Sequence, residues 1–174
     1  DEAEDLVRKV RKLIEESKKE NEDLLREVRE LVARVHEENE RVLREVEKLV
    51  EDIRRLLRRG DLRREDVRRV EEEIKELLKE VRRINKEVLE EVKRLVDEVK
   101  RRNEDVLRKI EDLVRRIPVR EVKKAIEDLL KESEDSVREV EEEIRKLLKD
   151  LEKSVRDVER AIEKLLDELR KDTK

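Results

Sequence analysis

The apolar residues of this chain recur with a period of eighteen residues, and this period limits the possible folds more than any other feature. Eighteen residues over five turns give 3.6 residues per turn, the value of a relaxed α-helix. A heptad repeat would give 3.5 and impose a left-handed supercoil. Heptads fail here, since steps of seven from Leu31 reach Glu38 and Glu45. The period therefore predicts long, nearly straight helices with one apolar face.

Two short segments interrupt this pattern and divide the chain into three helices. Gly60, the sole glycine, is typical of the residue that follows a helix, and Asp61 is predicted as the N-cap of the next one. Pro118, the sole proline, suits the first turn of a helix. A kink within one longer helix is the alternative there, but the apolar phase restarts after the proline. We predict helices over 2–59, 62–116 and 118–172, in one domain that covers 1–174.

Each predicted helix contains three blocks of eighteen residues and is about 80 Å long at 1.5 Å per residue. Its apolar positions cover an arc of roughly 120–140°, which is wide enough to contact two neighbouring helices. The short turns make consecutive helices antiparallel. The predicted fold class is therefore all-α, a long, straight, antiparallel three-helix bundle (up-down-up) with eighteen-residue internal repeats.

The composition argues against several kinds of partner. Charged residues make up 59% of the chain, the formal net charge is −4, and Phe, Trp, Tyr, Cys and Met are absent. Basic residues alternate with acidic ones, whereas a nucleic-acid interface needs basic residues on one face, often with aromatic ones. No apolar run approaches the ~18 residues of a membrane span, and the first residues do not resemble a signal peptide. We predict no nucleic-acid, membrane or cofactor partner, and the sequence indicates no location.

Four asparagines lie on the apolar faces, where Leu or Val would pack better. If the first two helices meet at the turn near residue 60, Asn21 faces Asn103 and Asn39 faces Asn85, because the residue numbers of each pair add up to the same value. The turn near residue 118 places serines of the third helix beside them. The predicted layers, about 27 Å apart, are Ser17, Asn21, Asn103, Ser133 and Ser136, and Asn39, Asn85, Ser154 and His36.

These polar layers are interpreted as determinants of helix register. A buried amide lowers stability, but it fixes register and partner choice because a slipped pairing leaves it without a partner. Sliding a straight repeat by one block is otherwise nearly free. Apolar residues at the equivalent positions of other blocks, such as Ala3 and Val67, penalise that slide.

No residue pattern indicates catalysis or metal binding. His36 is the only histidine, and a metal site needs three or four convergent ligands. Membership of the polar layer is the favoured interpretation, with a boundary or surface position and a metal or catalytic role as alternatives. The acidic runs at 71–74 and 141–145 are typical of a solvated face, and the serines lack a His–Asp relay. We therefore predict no enzyme activity.

The idealised blocks, for example "VREVEEEIRKLLKDLEKS", the minimal turns and the Asn/Ser layers resemble de novo designed helical bundles with buried hydrogen-bond networks. The resemblance covers the whole chain and implies a structural scaffold without natural biochemical activity. Members of that class also serve as assembly components or helix-binding partners. The alternative is therefore an interaction module that accepts another designed helix or self-associates. Four boundary leucines would complete the core in the first case and line a groove in the second: Leu25, Leu43, Leu89 and Leu107.

Overall fold

The computed structural model of the protein describes residues 2–116 and 120–173. These residues form three helices and no strand: α1 Glu2–Arg59, α2 Arg64–Arg115 and α3 Arg120–Asp172. The predicted all-α fold class is confirmed. The second helix begins at residue 64 rather than at 62, and it ends one residue before the predicted position 116. The predicted turn at Pro118 lies outside the described residues.

Gly60 ends α1 in the manner predicted. Its φ of 75° lies in the left-handed region, and its N–H donates to the carbonyl of Leu57 at 3.2 Å. The N–H of Asp61 donates to the carbonyl of Leu56 at 3.1 Å. These two bonds form a Schellman motif, which satisfies carbonyls that the end of a helix leaves without partners. The next residue, Leu62, then packs against the apolar core.

The prediction that Asp61 caps α2 is wrong. The carbonyl of Arg63 accepts the first bonds of this helix, from the N–H groups of Asp66 at 3.1 Å and Val67 at 3.3 Å. The carboxylate of Asp66 accepts a hydrogen bond from the N–H of Arg63 at 3.3 Å. Because Asp61 already takes part in ending α1, the next helix begins only after it. The capping carboxylate comes from within the first turn of α2 instead.

Replacing Gly60 by Ala is expected to destabilise the protein by about 1–2 kcal/mol, the cost of placing a side chain in the left-handed region. An added Cβ would meet no atom within 4 Å, so the cost is conformational rather than steric. Urea unfolding measures the loss. Arg59→Ala, in the last helical position, is the control and should change stability by less than about 0.5 kcal/mol. Equal effects of the two substitutions would contradict the conformational explanation.

The described residues divide into two compact units, and each helix contributes to both. Unit 1 comprises Asp1–Glu30 and Glu91–Leu147. Its apolar cluster draws on all three helices, with Val10 and Ile14 from α1, Ile110 from α2 and Ile126 from α3, each at most 2% exposed. Burying such a side chain stabilises a fold by roughly 1.5–3 kcal/mol. The burial explains why the apolar face of each helix is directed inward.

Unit 2 comprises Leu31–Glu90 and Leu148–Lys174. Its larger core also combines the three helices, and its buried members are Val42, Val46, Val50, Ile53, Ile74, Leu78, Val81, Val158, Ile162, Leu166 and Leu169. All are β-branched or leucine side chains at the spacing of one helical face. The same eighteen-residue period therefore builds the core in both units.

Contacts between helices confirm the up-down-up arrangement within each unit. In unit 2, α1 and α3 are linked by two hydrogen-bonded pairs, His36 with Ser154 and Arg54 with Asp172, and both pairs are 118 residues apart in sequence. A constant separation means that α1 and α3 run parallel. In unit 1, the ion pairs Lys18–Glu132 and Arg29–Glu143 give the same result. The short connection from α1 to α2 makes those two helices antiparallel.

Candidate functional site

In unit 1, Asn103 of α2 links two residues of α1. The hydroxyl of Ser17 donates to Asn103 Oδ1 at 2.6 Å, and Asn103 Nδ2 donates to Asn21 Oδ1 at 3.1 Å. Ser17 is 4% and Asn21 2% exposed, while Asn103 is half-buried. The asparagine of α2 therefore uses both ends of its amide to join residues that lie one turn apart on α1.

The third helix does not extend this chain of hydrogen bonds. Ser133 and Ser136 are half-buried, and neither side chain makes a hydrogen bond within the described part of the chain. Ser133 lines a cavity that Ser17 and Asn103 also line, whereas Ser136 does not. Asn21 Nδ2 is buried without a partner among the described residues. This layer therefore has one amide donor unused and one α3 hydroxyl facing open space.

In unit 2, the amides of Asn39 and Asn85 face each other. Asn39 Nδ2 donates to Asn85 Oδ1 at 3.5 Å, which is long beside the usual 2.9–3.0 Å. The residues are 1% and 6% exposed. The remaining atoms, Asn39 Oδ1 and Asn85 Nδ2, are buried without partners in the described residues. One is an acceptor and the other a donor, so the two side chains are complementary but only half paired.

His36 and Ser154 form a separate contact at the edge of the α1 apolar face. The Ser154 hydroxyl lies 2.9 Å from His36 Nδ1, and both residues are half-buried. A neutral imidazole accepts the hydroxyl proton at Nδ1, whereas an imidazolium donates to the hydroxyl oxygen. Within the described residues no hydrogen bond joins this pair to Asn39 or Asn85. The second predicted layer is therefore two independent pairs.

The repeat places an ion pair at the equivalent position one block later. Shifting His36 and Ser154 by eighteen residues gives Arg54 and Asp172, whose side chains meet at 3.0 Å. Arg54 also donates to Glu168 at 3.0 Å. The hydrogen bonds to Asp172 and then Glu168 raise the pKa of Arg54. This pair was not predicted from the sequence, although the eighteen-residue shift of His36 and Ser154 points to it.

The His36–Ser154 contact is expected to be insensitive to pH, because the hydroxyl can serve as donor to the neutral ring and as acceptor from the charged one. Thermal unfolding, helicity and molecular mass should be the same at pH 7.5 and pH 5, with or without zinc. The control variant, His36→Gln, should show the same insensitivity. A native chain that melts or dissociates at pH 5 while the Gln variant does not would contradict this explanation.

Equivalent layers of the repeat differ in their polar content. The three sets of positions are Ser17, Asn21, Asn103 and Ser133; Val35, Asn39, Asn85 and Leu151; and Ile53, Leu57, Val67 and Leu169. The first set contains four polar residues, the second two and the third none. The apolar period is the same in all blocks, so polarity is what distinguishes one layer from the next.

The described residues offer neither a metal site nor a membrane span. Between residues 2 and 116 and between 120 and 173, no three His, Cys, Asp or Glu side chains are grouped to hold a metal ion. No helix in these ranges is long and apolar enough to cross a membrane.

The comparisons with known proteins support the fold. No protein-family model matches the chain, and no curated protein matches it. Among solved structures, the chain is similar to a protein described as a computationally designed three helix bundle, with 20% sequence identity and a TM-score of 0.54. The match covers 99% of this chain and 89% of the other. This similarity shows that the chain has the fold of a three-helix bundle.

Proposed function

We propose that the protein is a designed structural scaffold, one domain over residues 1–174, with no natural biochemical activity or enzyme function. In this proposal the buried polar layers set the register of the helices. The graded polar content of the equivalent layers, four residues, then two, then none, is the observation that carries it. The similarity to a designed three-helix bundle supports the scaffold interpretation.

A shift of α2 against α1 by one block illustrates how the layers would act. In unit 2 a shift in one direction would place Asn39 against Val67, and a shift in the other direction would place Asn85 against Leu57. Either shift would leave one amide of the Asn39–Asn85 pair opposite an apolar residue, and an unpaired buried amide costs about 1–3 kcal/mol. Because no two layers have the same polar content, every whole-block shift produces a mismatch. The layers therefore favour one pairing over alternatives that the apolar residues alone would accept.

Light scattering after size-exclusion chromatography tests the scaffold proposal. We expect the mass of a single chain, 21.2 kDa. This mass should stay constant when the protein concentration is raised about 100-fold above the lowest measurable one. A mass that rises with concentration would contradict a self-sufficient scaffold and favour an interaction module.

A groove in unit 2 supports the interaction module as the second candidate. The groove measures about 1150 Å³ and lies between α1 and α2, with Leu49 and Leu77 among its lining residues. Ion pairs join α3 to both other helices, for example Arg54–Glu168 and Arg82–Glu163. Among the described residues none joins α1 to α2. An amphipathic helix of a partner would lie along such a seam.

The boundary leucines discriminate between the two candidates only in part. Leu25, Leu43, Leu89 and Leu107 are all half-buried. Leu43 packs against the core of unit 2, as a self-sufficient scaffold requires. Leu89 and Leu107 line small cavities of units 2 and 1. None of the four lines the α1–α2 groove. The groove would therefore depend on Leu49 and Leu77 for its apolar contact with a partner.

A further inference from the structure

We propose that the cavity of unit 1 binds a small uncharged molecule that combines an apolar body with one hydroxyl group. We call it the Ser133 cavity. It measures about 290 Å³ and lies mainly between α2 and α3, with apolar walls that include Val106, Ile110 and Leu130. Ser17, Asn103 and Ser133 are its uncharged polar lining residues. Such a site, mostly apolar with a few convergent polar groups, is the usual form of a small-molecule pocket. It goes beyond the scaffold function.

The repeat explains why space is open at this place. Ser133 occupies the position that Leu151 and Leu169 fill in the other two blocks of α3. Those leucines are 1% and 0% exposed, so the position is directed into the core. A serine side chain has two heavy atoms, whereas a leucine side chain has four. The substitution therefore leaves room that the repeat elsewhere fills with an isobutyl group, and it places a hydroxyl there.

The polar atoms at the cavity match a ligand hydroxyl. Ser17 is 4% exposed and donates its only hydroxyl proton to Asn103, so its oxygen keeps lone pairs that can accept a hydrogen bond. Ser133 makes no side-chain hydrogen bond to any residue that the structure describes, so its hydroxyl proton is available for donation. A ligand hydroxyl can donate to the first serine and accept from the second.

Size and charge restrict the ligand further. A cavity of about 290 Å³ lies at the lower limit for small-molecule sites, so it suits a molecule of roughly ten non-hydrogen atoms. The charged lining residues carry both signs, Glu104, Glu134 and Glu141 against Arg138, whereas the walls are apolar. Burying an ionised group against such walls is costly. An uncharged molecule is therefore preferred, with a dissociation constant on the order of 0.1–1 mM.

Methyl NMR titration of the intact protein tests the proposal, with benzyl alcohol as the probe and ethylbenzene as its counterpart of equal shape without the hydroxyl. Benzyl alcohol should shift the methyl signals of Val106, Ile110 and Leu130 in a saturable manner. Ethylbenzene can neither donate to Ser17 nor accept from Ser133, so it should bind more weakly, by about 3- to 10-fold for each hydrogen bond lost.

Three variants distinguish the contribution of the open cavity to binding from that of the Ser133 hydroxyl. Ser133→Leu fills the cavity and should abolish the shifts. Ser133→Ala keeps the space and removes one of the two hydrogen bonds to the ligand, so it should reduce the affinity for benzyl alcohol by about 3- to 10-fold. Ser136→Ala is the matched control, since Ser136 does not line the cavity, and should bind like the parent. The proposal is overturned if these methyls do not respond, if Ser133→Leu still binds, or if only the α1–α2 groove at Leu49 and Leu77 responds.

Discussion

Asn39→Leu combined with Asn85→Val is expected to stabilise the protein by about 2–4 kcal/mol, whereas Asn39→Leu alone should destabilise it. The double change removes two half-paired buried amides and adds apolar burial, and it copies Leu57 and Val67 from the equivalent positions. The single change leaves the whole amide of Asn85 buried without a partner, at about 1–3 kcal/mol. Urea unfolding of the parent and of each variant measures both effects.

The Asn85→Val single variant completes this double-mutant cycle. Glu72→Gln, at an exposed position of α2, is the control and should add to Asn39→Leu without coupling. Distant, independent substitutions usually add within about 0.3–0.5 kcal/mol. If the Asn39 and Asn85 substitutions were also additive within that limit, the two amides would not face each other as described.

Asn103→Val is expected to be the most harmful of the single changes, with a loss of about 2–4 kcal/mol. Asn103 bonds to both Ser17 and Asn21, so its removal leaves a buried hydroxyl and a buried carbonyl oxygen without partners, at about 1–3 kcal/mol each. Adding Ser17→Val and Asn21→Leu should recover the loss, because all the polar atoms of the contact are then gone. Chemical unfolding with urea measures the series.

Ser136→Ala is the control for this series, since the Ser136 side chain makes no hydrogen bond within the described residues, and it should change stability by less than about 0.5 kcal/mol. An Asn103→Val variant as stable as the parent would mean that the Ser17–Asn103–Asn21 contacts contribute nothing. A triple variant no more stable than Asn103→Val would mean that the loss has another cause.

The sequence predicts the helices and the facing asparagines because both depend only on period and turn position. The 3.6-residue period indicates three long helices, and the single glycine indicates the end of α1. Once that turn is fixed, antiparallel pairing places Asn21 opposite Asn103 and Asn39 opposite Asn85. The same pairs are hydrogen-bonded in the structure. Counting residues from the turn is therefore enough to predict which residues of α1 and α2 lie opposite each other.

The finer geometry depends on distances that helical phase does not determine. Phase places Ser133 and Ser136 near the first layer, but a short serine side chain bonds only to a partner within about 3 Å of its oxygen. Within the described residues, no hydrogen bond supports the prediction that Ser133 and Ser136 join the layer. Phase likewise groups Ser154 with Asn39 and Asn85, although its hydroxyl contacts His36 instead. Side-chain rotamers and the spacing of the helix axes decide between such neighbours.

The most direct test of register control removes the turn that also restrains it. A Gly/Ser linker of about thirty residues, inserted after Gly60, has a typical end-to-end distance of about 30 Å. One block of eighteen residues spans about 27 Å, so a one-block slip becomes possible.

The chain contains no cysteine, so added cysteine pairs report register without competition. Val50→Cys with Ile74→Cys reports the described register, since their residue numbers add up to the same value as those of Asn39 and Asn85, and both belong to one core cluster. Val32→Cys with Ile74→Cys reports the slipped register.

The comparison is made between the linker-extended chain and its counterpart in which the polar layers are replaced. That counterpart carries Ser17→Val, Asn21→Leu, Asn39→Leu, Asn85→Val, Asn103→Val and Ser133→Leu. With the layers intact, disulfide formation is expected only in the Val50/Ile74 variant, because the slip would place Asn39 opposite Val67 and Asn103 opposite Ala3 and leave both amides unpaired. Without the layers, both cysteine pairs should form disulfides. If the layered chain also forms the Val32/Ile74 disulfide, or if the apolar chain forms only the Val50/Ile74 disulfide, the polar layers do not set the register.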